Sequence, residues 1–341
     1  AQIYKVEENG QFRGGPSYYM EKALKKRWLG ILFSIALIIC FAYGFNGLQS
    51  FNMSSALEYY IPNYSQTHVP MVVGIVLAVL FAAVIWGGAH RIGVITSFIV
   101  PVMAVVYILI GIYTMLTNLS SIPHVFGMIF ENAFSARSFA GGFAGSAVMI
   151  GIMGSAPNAA ASADVDHPVK QGMVQVISVF IDTLLICSTT AMMLLISGVQ
   201  GESGVLDGIP FVQEAIRANI GQWGIHFITV SIFAFAFSSL VGNYYYAESN
   251  ILFIKNSKVL LNIFRITCVV AIFLGAQADF SVVWNIADIT MGLMAIINII
   301  ALMMLRKIAI KALKNYEEQK KAGKNPVFKE SDIEIKDTVW K

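Results

Sequence analysis

The chain has 341 residues, 57% of them hydrophobic and only 13% charged, with a mean hydropathy of +0.68. Its excess of three positive charges lies between apolar runs rather than on one face, which argues against a nucleic-acid partner. Long apolar runs separated by short polar stretches identify an all-α polytopic membrane protein in a lipid bilayer.

Residues 1–27 are polar, contain Gly14, Gly15, Pro16, Ser17, Tyr18 and Tyr19 in a row, and end in Lys25, Lys26 and Arg27. No charged-then-apolar leader with a small-residue cleavage site opens the chain, so insertion is expected to rely on the spans themselves. Apolar spans follow at 28–48, 69–88, 92–117, 138–153, 173–198, 223–246, 258–276 and 282–305, about eight crossings, with 138–153 the short one. Cytoplasmic loops retain Lys and Arg. If every span crosses, Lys25, Lys26, Arg27, Arg91, Lys170, Lys255, Lys258 and Arg306 onward share one side, whereas the opposite loops hold only Arg137 and Arg217. Both termini are therefore expected in the cytoplasm, and Arg265, in the first turns of its span, is expected to snorkel to that side.

Two outer segments, 121–136 and 209–220, read as surface helices that cap a vestibule or as ordinary structured loops. The tail 306–341 alternates charges and is expected to be a solvated helix fraying into a flexible end. Cys40, Cys187 and Cys268 each lie in an apolar run and read as buried thiols.

Within the spans, polar groups carry the functional signal, because burying them in a bilayer is costly. The stretch 138–165 holds Gly141, Gly142, Gly145, Gly151 and Gly154 before Pro157 and Asn158. It is either an interrupted span that marks a transporter's binding site or a helix whose glycines admit close neighbours. Asp182, deep in the fifth span, needs a cation, a donor network or a proton, or is a structural acid packed on another helix. Ser238 and Ser239 are adjacent hard oxygens able to complete a sodium shell, or helix-packing serines. The tyrosines Tyr244, Tyr245 and Tyr246 fit an interfacial belt. Trp284, Asn285 and Asp288 share nearby turns, and Trp284 is a belt residue or part of an outer gate. Tyr43, Asn46, Gln49 and Asn52 form a polar stripe that lines an aqueous path or marks the helix leaving the membrane. No Walker loop, GxSxG or paired carboxylate site is present, and the five histidines lack ligand spacing, so the protein is not expected to be an enzyme.

The ordered series GGPSYYMEKAL (14–24), GSAPNAAASADVDHPVKQGMVQ (154–175), VFIDTLLICSTTAMM (179–193) and FAFSSLVGNYYYAESN (235–250) resembles the alanine or glycine:cation symporter family, with the likeness covering residues 12–310. The resemblance implies a LeuT-type fold of two inverted repeats around a central site. Residues 28–117 would be the last three helices of the first repeat, 118–137 an outer amphipathic segment and 138–305 the second repeat, opened by the broken helix 138–153. It further implies sodium-coupled symport of alanine or glycine by alternating access in a bacterial inner membrane. Gly141, Gly142, Gly145, Gln49 and Trp284 would bind substrate, Ser238 and Ser239 would ligate sodium, and no cofactor is implied. Two departures accompany it. Relatives carry helices before the GGPxYY segment, including a broken one, and an Arg-Gly-aromatic-Ser-Asn-Glu-Ala-Gly stretch before MGSAPN that this chain lacks. An N-terminally truncated, internally shortened symporter is therefore expected. The alternatives are a non-transporting membrane polypeptide, or proton coupling through Asp182 or Asp288.

Overall fold

The computed structural model describes residues 1–8, 11–87, 89–133, 155–200, 206 and 208–340. Hydrocarbon offers no water to backbone N–H and C=O groups, so an apolar run of this length closes its hydrogen bonds within a helix. Among the described residues seven helical stretches are long and apolar enough to cross a membrane: Arg27–Tyr60, Val69–Gly87, Val100–Thr117, Pro168–Ser197, Gln222–Ile254, Lys258–Gly275 and Phe280–Lys321. They coincide with seven of the expected spans. The remaining expectation, 138–153, lies outside the described residues.

The chain opens with an antiparallel hairpin, β1 (Val6–Glu8) and β2 (Gln11–Arg13), in which Val6 pairs with Arg13. Helix α1 (Pro16–Lys22) starts on Pro16, whose missing N–H costs nothing at a first helical position. The first span then runs as α2 (Arg27–Leu37), a π-helical stretch over Ile38–Phe45, and α3 (Asn46–Ser55). Next come α4 (Val69–Gly87), α5 (Ala89–Thr117, with Pro101 inside it), α6 (Ile122–Ala133) and α7 (Ser155–Ser162). The fifth span repeats the pattern of the first: α8 (Pro168–Phe180), a π-helical stretch over Ile181–Cys187, and α9 (Ser188–Ser197). Helix α10 (Gly208–Ile220) precedes the last three spans, α11 (Gln222–Ile254), α12 (Lys258–Gly275) and α13 (Phe280–Lys321).

The first span occupies the centre of the bundle. Its Phe33, Leu37, Phe41 and Met53 pack with Phe81 of α4, Leu240 and Tyr244 of α11, Phe264 and Ile272 of α12, and Met294 of α13. Close approach depends on small residues. A Cβ on Gly275 of α12 would lie 2.5 Å from the Gly47 Cα, and one on Gly44 would lie 3.3 Å from the Ala287 Cα of α13. Tyr244 is buried among these helices, its ring 5.8 Å from both Phe81 and Phe264, so it is a core residue and not a member of a belt. Arg265 donates to the Tyr244 hydroxyl at 2.9 Å and to Glu248 at 3.2 Å, which ties α12 to α11. Cys40 and Cys268 are buried as expected, but Cys187 is exposed, since no described helix covers that face of the fifth span.

Both termini lie at one end of the bundle, where the Trp340 indole donates to the Gln2 carbonyl at 3.1 Å. The tail is not the fraying end that its charge pattern predicts. After Lys321 it turns back, and Phe328 and Ile333 bury against Ala312. His167 is fully buried beneath it, its ring 5.1 Å from Tyr316 and 5.2 Å from Phe328. Its Nε2 lies 3.2 Å from the Asn315 amide oxygen, while Nδ1 accepts the Val169 N–H at 3.1 Å and so caps α8. A few apolar and aromatic residues among the charges suffice to fold the tail down.

Candidate functional site

The first span and α11 run antiparallel. Phe41 meets Tyr246 edge-on at 5.9 Å near one end, and the Tyr60 hydroxyl reaches Thr229 at 3.0 Å near the other. Between these crossings Gln49 falls at the level of Ser238 and Ser239, and Asn46 about one turn from it toward Phe41. The polar stripe of the first span therefore faces protein rather than marking an exit from the membrane. Tyr43 is half-buried with its hydroxyl 2.9 Å from that of Thr267, Asn46 is completely buried, and Gln49 and Asn52 are half-buried. Ser50, on the same side, donates to the Ile272 carbonyl at 2.6 Å and holds α3 against α12.

Ser238 and Ser239 are half-buried, and both hydroxyls donate to one carbonyl, that of Phe235, at 2.7 and 3.0 Å. With its proton thus placed, each oxygen keeps lone pairs for a hard cation, the ligand chemistry sodium prefers. α11 is unbroken here, so it offers side-chain oxygens while its carbonyls stay within the helix. Gly141, Gly142 and Gly145, the expected backbone site, lie outside the described residues.

Trp284 is 40% exposed on α13, and α3 and α13 meet instead through Leu48 against Val283 and Ala287. Trp284 stands 5.9 Å from Phe280, which is 6.0 Å from Phe51, so the three rings form a row at the end of the bundle away from the termini. A polar cavity of about 730 Å³ opens beyond that row, with Ser54, Ser55, Glu58, His68 and Asp279 around it and Phe51 and Phe280 in its wall. Above the same end, α10 buries Gln213, which donates to the Ala56 carbonyl and the Thr229 hydroxyl, both at 2.9 Å. Among the described residues Asp182, on the π-helical stretch of the fifth span, is exposed, and so are Asn285 and Asp288 on α13.

Sequence reading missed both π-helical stretches, which no residue pattern announces. It also missed a polar cluster nearer the termini, where Ser17 and Ser34 both donate to the Asn250 amide oxygen and Tyr19 to that of Asn298. The serines and asparagines in otherwise apolar helices were the available signal.

Seven span-length helices, packed around a central span that changes helical type beside paired hydroxyls and beneath a polar cavity, define an all-helical multi-pass membrane protein. The chain belongs to the sodium:alanine symporter family, which it matches over residues 1–330. It is 44% identical over 344 residues to the amino-acid carrier protein AlsT of Bacillus subtilis, covering 98% of this chain and 72% of that protein. A probable sodium/glutamine symporter, GlnT, of the same organism is 43% identical, covering 96% and 70%. The sodium/alanine symporter AgcS of Methanococcus maripaludis is 34% identical, covering 93% and 72%. The chain thus spans 70–72% of these relatives' own length. The protein is a multi-pass membrane transporter, not an enzyme, and its class couples amino acid movement to a cation.

Proposed function

We propose that this chain carries out sodium-coupled symport of a small neutral amino acid, alanine or glycine, across a bacterial inner membrane, with both termini in the cytoplasm. The observation that carries this reading is the family match over residues 1–330. Ser238 and Ser239 ligate sodium, and Gln49 forms one wall of the pocket. The backbone around Gly141, Gly142 and Gly145 takes the zwitterion in the manner of a LeuT-type broken helix. Phe51, Phe280 and Trp284 form the outer gate beneath the polar cavity, which is the outward mouth of an alternating-access cycle. Each sodium that enters gains roughly 2.3 kcal/mol per 100 mV of membrane potential, enough to drive solute accumulation.

The test is uptake of labelled alanine, glycine and glutamine into vesicles containing the chain, in sodium and in choline. Sodium-stimulated uptake of alanine or glycine is expected, with the Ser238→Ala/Ser239→Ala double variant losing the stimulation. Sodium stimulation undiminished in that variant would overturn the ion assignment. Glutamine as the preferred solute would overturn the substrate, and uptake that follows a proton gradient without sodium would overturn the coupling ion.

A further inference from the structure

Asn46 is the most anomalous polar residue in the bundle. Its side chain is completely buried, and neither amide atom has a hydrogen-bond partner among the described residues. Burying an amide unpaired is costly, so such a residue normally has a partner or a purpose. Its neighbours show that partners were within reach of evolution. Ser50, one turn on, is bonded to the Ile272 carbonyl, and Tyr43, one turn back, to Thr267.

The backbone around Asn46 is unusual too. It is the residue at which the π-helical stretch Ile38–Phe45 returns to α-helix, and its N–H is shared between the Phe41 and Tyr43 carbonyls. π-helical turns inside α-helices are frequent at functional sites, because a wider turn can tighten and rotate the residues beyond it. Asn46 lies one turn from Gln49, which the Phe41–Tyr246 and Tyr60–Thr229 crossings put level with Ser238 and Ser239.

The geometry points to Asn46 as a substrate-binding residue, one that contacts the amino acid's zwitterionic head during the transport cycle; this rests on the function proposed above. An asparagine has both a donor and an acceptor, and here both are unpaired. Sodium would use the oxygen alone and leave the NH2 orphaned. A zwitterion satisfies both atoms, its carboxylate accepting from Nδ2 and its ammonium donating to Oδ1. The residue then carries its desolvation cost in the empty state and recovers it when substrate arrives.

Thermal unfolding of the purified chain, with and without sodium and L-alanine, tests this in the wild type, Asn46→Ala and Asn46→Asp. The Ala variant is expected to unfold at or above the wild-type temperature without ligand, and to bind alanine roughly ten- to a hundredfold more weakly. Its response to sodium alone should be unchanged. The Asp variant replaces the donor with a carboxylate and should also bind alanine weakly. Alanine affinity within twofold of wild type in Asn46→Ala would overturn the inference. So would a ligand-free Asn46→Ala less stable than wild type, or failure of both variants to fold, since either would make the amide structural. A wild type that does not respond to alanine at all would instead remove the proposed function, and the inference with it.

Discussion

The first and fifth spans have nearly the same mean hydropathy, 2.2 and 2.1 over their most apolar windows, and each passes through a π-helical stretch. Yet 56% of that window is buried in the first span and only 11% in the fifth, among the described residues. Each π-helical stretch holds a cysteine, Cys40 buried in one and Cys187 exposed in the other. Hydropathy reports that a helix belongs in a bilayer. Whether it faces lipid or protein is decided by what stands around it: four later helices press on the first span, whereas the fifth touches the described bundle at its two ends, through its capped start and through its last helix, where the Tyr107 and Thr190 hydroxyls are 2.7 Å apart and Asn219 donates to the Met193 carbonyl at 2.8 Å.

The contrast breaks most readily at glycine. Gly275→Leu drives a side chain into Gly47 of the first span, a clash with backbone that no rotamer relieves, and should cost roughly 3 kcal/mol or more in unfolding experiments. Gly172→Leu on α8 meets nothing within 4 Å and should change stability by less than about 0.5 kcal/mol. Equal effects would mean that the two spans are equally crowded. Thiol labelling sharpens the same contrast. A small permeant maleimide should modify Cys187 at least about tenfold faster than Cys40 or Cys268, read by mass spectrometry of the digested protein.

The smallest effect concerns the capped start of the fifth span. Burial, helped by the nearby Lys170, holds the His167 pKa below its ordinary 6.5, against the opposing pull of Asn315 and Asp332. The folded protein therefore binds this proton less readily than the unfolded chain. The stability that His167 confers is complete above about pH 6.5 and is lost as pH falls through that value toward the lowered one. His167→Asn keeps a capping side chain without the titration. Wild type should lose melting temperature relative to this variant between about pH 7 and pH 5, and parallel curves would show that His167 binds its proton equally well folded and unfolded.

Seven spans could be placed from the sequence because a bilayer fixes helix length and polarity so strictly. The stripe from Tyr43 to Asn52 was visible as a pattern, but its direction was not, since a 3.6-residue period gives a face without naming what it meets. Ser238 and Ser239 stand on the central span's neighbour, while Trp284 turned out half-exposed in a row of aromatic rings. The π-helical stretches, the burial of Tyr244 and the folding back of the tail all depend on contacts between residues distant in sequence, which periodicity within one segment does not encode.

Helix α13 runs without a break for 42 residues, from Phe280 beside the polar cavity to Lys321 at the end where the termini meet. A rod of that length spans about 63 Å, so each degree of tilt about its Phe280 end carries the other end through about 1 Å. The tail fastens that moving end to His167 and to Gln2. A dye or antibody fragment near Trp340 would thus act as a pointer on a dial, enlarging sub-ångström adjustments beside Gly44 and Ala287 into displacements that can be read from outside the membrane.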